Sequence, residues 1–221
     1  MIKTEFHCHT IYSKDSLVTP QHLVDTCRYK GIDRVIVTDH NTIAGAVEAQ
    51  KIAPELVIIG EEIMTTHGEI LAVFVTEEIP AGLKPQETIR RLREQGAFIS
   101  VSHPFDVMRN GHWQEDDLLE ILPFVDAIET FNARCIWPGF NWQAQQFAQE
   151  HGLASTVGSD AHAAFELGRA TLTLSEFSNA DELRQAIRQG KPKTRLSAPW
   201  VHATSRYAVI RKKLNPSLKR K

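Results

Sequence analysis

The sequence predicts an α/β fold, a β/α barrel with its helices on the outside. Three observations lead there. Short β-branched apolar runs alternate with amphipathic stretches along a chain of 221 residues, the signature of repeated strand–helix units. The runs are nearly continuously apolar, as strands covered on both faces are. Histidine and acidic side chains recur just after the runs, and in parallel barrels the strand C-termini share the face that carries the site.

The elements follow in order. Thr4 to His7 reads as the first strand, with His7 and His9 at its end. Thr19-Pro20 supplies an N-cap and a proline at the first helical position, and that helix closes at Gly31. Val35 to Thr38 runs into Asp39-His40, and Leu56 to Ile59 into Glu61-Glu62. Ile70 to Val75 is a fourth strand, and Pro85 opens a helix over Glu87 to Gln95 that ends at Gly96. Ala97 to Ser102 precedes His103, and Val125 to Thr130 carries Glu129. Asn141 is the expected cap of a helix from Trp142 to Glu150. Ser155 to Val157 leads to Asp160 and His162, Thr171 to Leu174 is the last strand, and Asn179 caps Ala180 to Gln189.

Charge divides the chain. Residues 191–221 hold ten of the 25 basic residues and no acidic one, so residues 1–190 carry 15 basic against all 27 acidic residues. We read 1–190 as the barrel and 191–221 as a basic C-terminal extension, an appendage ordered in part and then frayed, whose charge suits an anionic partner. No apolar run approaches the roughly 18 residues of a membrane span, and the N-terminus lacks a signal-peptide core. Cys8, Cys27 and Cys135 are odd in number and widely spaced, so no disulfide framework is indicated and a cytoplasmic location is expected. No membrane association and no obligate protein partner are expected.

The strand-end residues suit metal chemistry. Residues i and i+2 of an extended strand point the same way, so His7 and His9 can grip one ion, as can Asp160 and His162 if that backbone is extended. Mixed imidazole and carboxylate ligands favour zinc, manganese or iron over magnesium or calcium. About nine candidate ligands exceed the three or four that one catalytic zinc takes, which points to two or three divalent ions. A lone histidine after a strand is usually a hydrogen-bonding residue; it is the set that argues for metal. His22, His112, His151 and His202 are read as solvated or structural, and His67, near Glu69, is left open. Asp39 is read as a residue that orients His40.

The ordered motifs Glu5-Phe6-His7-Cys8-His9-Thr10, Tyr12-Ser13-Lys14-Asp15-Ser16, Thr38-Asp39-His40, Gly60-Glu61-Glu62-Ile63, His103-Pro104 and Gly158-Ser159-Asp160-Ala161-His162 resemble the PHP family, named for polymerase and histidinol phosphatase, and among it the small stand-alone enzymes. The resemblance covers about residues 1 to 175. It implies a distorted seven-stranded β/α barrel with a trinuclear metal centre and phosphoesterase activity. It implies that His7, His9 and Asp160 hold one ion, that Glu62 rather than Glu61 bridges to a second, and that Asp15 and His40 belong to another. His103 and His162 complete the set. Glu69 stands where many members have histidine, and Glu5 where aspartate is commoner. Glu129 is expected outside the ligand set or facing substrate.

The expected reaction is phosphate ester hydrolysis by a metal-activated water, on a nucleotide, the 5′ end of a short oligonucleotide or a small phosphorylated metabolite. His40, His162 or Asp15 is expected to protonate the leaving group where it does not ligate. Arg134 and Arg109, on loops after strands at the same face, are the candidate phosphate clamps, with a surface ion pair slightly favoured for Arg109. Trp113, Trp137 and Trp142 are candidates to stack a base. Amidohydrolase barrels also begin with His-x-His, but they use a lysine at a later strand end, and none is found here.

Overall fold

All eight expected strands form, and a ninth joins them. The computed structural model describes residues 1–218; Lys219, Arg220 and Lys221 of the basic extension lie outside the described residues. The elements are β1 (Ile2–Glu5), α1 (Pro20–Tyr29), β2 (Arg34–Val37), α2 (Ala44–Ile52), β3 (Val57–Met64), β4 (Glu69–Val73), α3 (Pro85–Glu94), β5 (Phe98–Val101), α4 (Glu115–Ile121), β6 (Ala127–Asn132), α5 (Pro138–Glu150), β7 (Ala154–Gly158), β8 (Ala170–Leu174), α6 (Ala180–Ala186), β9 (Lys191–Thr194) and α7 (Val201–Leu214).

These strands form one sheet in the order β7-β6-β5-β4-β3-β2-β1-β8-β9. It curls into a nearly closed barrel. Strands β1, β2 and β3 are mutually parallel, as are β5, β6 and β7. Strand β4 is antiparallel to both β3 and β5, and β8 to both β1 and β9. The seam lies between β7 and β8, where the Ser159 hydroxyl accepts from the Ala170 amide at 3.0 Å. The seven-stranded count that the resemblance implied is therefore corrected to nine. β9 is Lys-Pro-Lys-Thr with all four residues exposed, so no apolar pattern announced it. Its proline and lysines suit an outer edge that must not pair further.

Strand alternation builds the core in layers. Phe6, Ile36, Ile58, Val73, Phe98, Ala127, Val157 and Leu172 fill the barrel interior below the site. Val35, Val37 and Val57 face outward onto Leu23, Val24 and Cys27 of α1 and Ala46 and Ala49 of α2. Ile70, Ile99, Val101 and Ile128 face outward onto Ile89 and Leu92 of α3, Leu118 and Ile121 of α4 and Phe147 of α5. Both faces are covered, which is why the strands read as continuous apolar runs.

Helix ends follow the local signals with one exception. The Thr19 side chain accepts from the His22 amide, and Asn179 from the Glu182 amide at 2.9 Å. Helix α5, however, begins at Pro138 rather than after Asn141. Proline at the first helical position sets the start, and Asn141 is buried one turn inside, where its amide group bonds the backbone N–H and C=O of Asn132 at 2.9 and 3.1 Å. The reading of residues beyond 190 as an appendage is also revised. β9 extends the sheet, and Val201, Ala208 and Lys212 of α7 are buried. Among the described residues no helix is long and apolar enough to cross a membrane.

Candidate metal centre

The ends of β1, β2, β3, β5, β6 and β7 converge on one buried cluster. His7 Nε2 lies 3.2 Å from Glu62 Oε1 and 3.6 Å from Asp160 Oδ1. His9 Nε2 lies 3.1 Å from Asp160 Oδ1, and His40 Nδ1 is 2.9 Å from Glu62 Oε2. His103 Nε2 sits between Glu62 Oε1 at 3.2 Å and Glu69 Oε2 at 3.3 Å. Asp15 faces His162 Nε2 at 3.3 Å and His40 Nε2 at 3.6 Å. All nine expected ligands thus meet in one place. Three overlapping triads have ligand atoms close enough to share an ion: His9, His40 and His162; His7, His9 and Glu62; and His40, Glu62 and Glu69. Glu62 belongs to two of them.

The open choices close. Strand alternation turns Glu62 inward and Glu61 outward with Ile63, and Glu61 accepts from the Ile79 amide at 3.0 Å. Glu69 reaches the cluster; His67 sits in the preceding turn, where its Nδ1 pairs with the Thr66 hydroxyl at 2.7 Å. The Asp160–Ala161–His162 segment is not extended as the paired-grip argument supposed, because Asp160 has φ +50°. His103 also has positive φ, +23°. Such left-handed residues cost strain and collect where surrounding bonds hold them; here Glu129 Oε2 takes the His103 amide at 2.9 Å.

The surrounding hydrogen bonds fix which ring nitrogens carry protons. Ser13 Oγ donates to Asp39 Oδ1 at 2.6 Å. Its proton is thereby used, so at 3.1 Å it must accept from His9 Nδ1. His162 Nδ1 donates to the Asp160 carbonyl at 2.8 Å, and His7 Nδ1 to Glu129 Oε1 at 2.9 Å. In the neutral rings each Nε2 then holds a lone pair, and each points at carboxylate oxygens. Lone pair facing anion is repulsive unless a cation lies between. Buried His7 Nε2, Asp15 Oδ1 and Glu62 Oε2 have no hydrogen-bond partner among the described residues. Protonation answers the conflict at His7 but not at His9. Burial works against charge on His7, but Glu62, Asp160 and Glu129 raise its pKa well above the usual value. Two residues on, burial and the neighbouring His162 and His40 push His9 well below it. Divalent cations fit this donor set.

Other side chains brace the cluster, and sequence reasoning missed several. Arg109 was read as a surface ion pair; its Nη1 instead reaches Asp160 Oδ2 at 2.6 Å and its Nη2 reaches Asn132 Oδ1 at 3.3 Å. Arg134 is buried beside the cluster, with Nε 3.1 Å from Glu166, whose other oxygen accepts the His162 amide, and Nη2 donating to the Val201 carbonyl at 2.7 Å and the Ser205 hydroxyl at 2.9 Å. In this arrangement it ties helix α7 to the loop after β6 rather than presenting an open fork to solvent. Asp39 orients its neighbours through Thr10 and Ser13. Glu5 accepts from the Ser159 and Gly168 amides at 3.0 and 2.9 Å and shapes the β7 loop; burial raises its pKa to about 7. Trp113 is buried with Nε1 donating to the Glu69 carbonyl at 3.0 Å, so it cannot stack a ligand. Trp137 and Trp142 are exposed, as is Trp200, whose ring lies 5.2 Å from that of Phe165.

Glu61 gives a prediction independent of metal. Burial, with a contribution from Glu78, raises its pKa to about 8. The folded state therefore binds a proton that the unfolded state releases near pH 4.5, so stability falls as pH rises from there to about 8. Glu61→Gln removes that slope. Its unfolding free energy relative to wild type should rise by a few kcal/mol, roughly, between pH 5 and pH 8. Urea unfolding of both proteins at the two pH values measures it, and a pH-independent difference would refute the assignment.

Comparison with known proteins agrees with this geometry. Residues 5–133 match the family model of the PHP domain, and residues 138–192 match that of the PHP-associated segment. An uncharacterized protein of Methanocaldococcus jannaschii is 38% identical over 180 residues, 80% of this chain and 72% of the relative. A two-domain protein from Bacteroides vulgatus, described as containing a predicted PHP-like metal-dependent phosphoesterase, superposes with a TM-score of 0.70 at 21% identity, over 88% of this chain and 65% of that one. A lesion-specific endonuclease from Pyrococcus furiosus gives a TM-score of 0.58 at 16% identity, over 87% and 57%. At these identities the two solved structures establish the fold. With the family model matched over more than half of its length, the chain belongs to the PHP domain family.

Proposed function

We propose that this protein hydrolyses phosphate esters, using divalent ions held by His7, His9, Asp15, His40, Glu62, Glu69, His103, Asp160 and His162. One observation carries the reading: neutral His9 and the rings around it turn ring nitrogens toward carboxylate oxygens in one buried cluster. Ions held there would supply an acidified water and neutralise the phosphoryl oxygens. The chain's own groups do the rest. Glu129 fixes the His7 ring, and Ser13 fixes His9. Arg109 neutralises the outer oxygen of Asp160. His40 and Asp15, 17% and 19% exposed, form the solvent side of the cluster, whereas the His162 side chain is 3% exposed. Substrate would meet the cluster from that side. Asp15, held ionised against its burial by His162 and His40, has no proton to give there, so His40, where it does not ligate, is better placed than His162 to protonate the leaving oxygen.

The substrate we favour is a nucleotide or the 5′ end of a short oligonucleotide. Trp137 lies on the loop after β6 and Phe165 on the loop after β7, where Trp200 packs on it, so exposed rings belong to loops that leave the strand ends carrying the ligands. The Pyrococcus furiosus neighbour's name adds that this fold can serve nucleic acid chemistry. The test is a screen of protein loaded with zinc, manganese or iron on p-nitrophenyl phosphate, nucleotides, 5′-phosphorylated oligonucleotides and phosphorylated metabolites. Turnover that requires metal and is highest on nucleotides or oligonucleotides is expected. Preference for histidinol phosphate or another small metabolite would replace the substrate assignment, and no turnover on any ester would end the phosphoesterase reading.

A further inference from the structure

Helix α7 lies outside both family-matched segments, 5–133 and 138–192, yet it touches three loops of the metal centre. Lys212 is buried at 4% exposure. Its ammonium donates to the Ile11 carbonyl at 2.6 Å and to the Ser13 carbonyl. Arg134, after β6, donates to the Val201 carbonyl and the Ser205 hydroxyl, and the Arg134 carbonyl meets His202 Nε2 at 3.1 Å. Trp200 packs on Phe165 after β7. The carbonyls that Lys212 grips belong to the loop that carries Ser13 and Asp15. Ser13 receives His9 Nδ1 and the His40 amide at 3.1 and 3.0 Å, and Asp15 faces His40 and His162.

Burying an ammonium is costly even where it meets two carbonyls with Asp15 and Asp39 near it. A charge retained at such a cost points to a task beyond folding. We propose that Lys212 is a positioning residue of the metal centre: it holds the 10–16 loop so that Ser13 fixes the His9 ring and Asp15 closes the ion site formed with His40 and His162. The C-terminal helix thereby becomes part of the site. Residues bonded directly to a ligand, as Ser13 is to His9, typically shift metal affinity about 10- to 100-fold, and Lys212 acts on the ligands through Ser13.

The test uses the full-length chain with K212M, K212Q and K212R. Metal-free protein is titrated with Zn²⁺ against a competing chelator, and amide hydrogen exchange is followed over residues 10–16. In folded K212M and K212Q, the affinity of one zinc equivalent should fall about 10- to 100-fold while the others stay within about threefold of wild type. Exchange of the loop amides should quicken, and K212R should restore both. A lysine that merely packs would lower the melting temperature and leave zinc affinity unchanged. The proposal is overturned by wild-type affinity for every equivalent in folded K212M, by K212R as weak as K212Q, or by failure of both neutral variants to melt cooperatively. It rests on the metal reading above, and the two fail differently: wild type that binds no zinc removes the metal reading, whereas equal binding by wild type and K212M removes this inference alone.

Discussion

Replacing both His7 and His9 with alanine is expected to abolish tight metal binding and to lower turnover at least about 100-fold. The two rings serve different parts of the cluster. His7 carries the contacts to Glu62 and Asp160, and its far side is held by Glu129. His9 belongs to two of the candidate triads. Their removal also takes the His7 Nδ1–H from Glu129, which is almost fully buried. Leaving a buried acceptor unsatisfied typically costs about 1–3 kcal/mol, so the metal-free double variant should also melt at lower temperature. His67→Ala is the matched control, because His67 pairs with Thr66 in the turn outside the cluster. Metal content by elemental analysis, read beside turnover, decides the matter. A double variant with wild-type stoichiometry would show that the ions sit elsewhere.

Most of the candidate ligands were legible because their placement is local, while Asp15, Glu69 and the choice of Glu62 over Glu61 came from the family resemblance. Strand ends are marked by β-branched runs, and His-x-His or Gly-Ser-Asp-Ala-His at those ends needs only the barrel's shared face to converge. What was not legible depends on long-range pairing. Arg109 and Arg134 both follow strands and look alike in sequence, yet Asp160 claims one and Glu166 the other. Nothing local separates them, since the choice depends on where loops distant in sequence fall. Strand β9 is polar throughout because it is an outer edge, and pattern reading looks for apolar alternation. Helix α7 was obscured by its charge: a run of Arg211, Lys212 and Lys213 reads as solvated, and only the fold shows that the middle one turns inward. Helix α5 was misplaced because Asn141 resembles a cap while its amide serves the backbone of Asn132.

Gly158→Ala is expected to be among the most damaging single changes outside the ligands. Gly158 ends β7 and opens the Gly-Ser-Asp-Ala-His motif. A Cβ there would lie 2.4 Å from His7 Cβ and 2.3 Å from Glu129 Oε1. Neither neighbour can yield cheaply. His7 Cβ is fixed to the main chain, and Glu129 is held by His7 Nδ1, the His103 amide and Asn132 Nδ2 at 2.9, 2.9 and 3.1 Å. The Gly158 carbonyl is itself held by the Ala133 amide at 2.9 Å. The added methyl therefore forces the His7–Glu129 pair apart. Overpacking of this kind costs about 1–3 kcal/mol, and a misplacement near 1 Å costs about 100-fold in rate. Gly152→Ala separates steric from conformational causes. Gly152 has φ +64° at the end of α5 and nothing within 4 Å of an added Cβ. That change should cost about 1 kcal/mol through backbone strain alone and leave turnover intact. Thermal melting and turnover of both variants test the contrast. If Gly158→Ala binds metal and turns over like wild type, then β7 does not pack against His7 this closely, and the tautomer assigned to His7 through Glu129 loses its support.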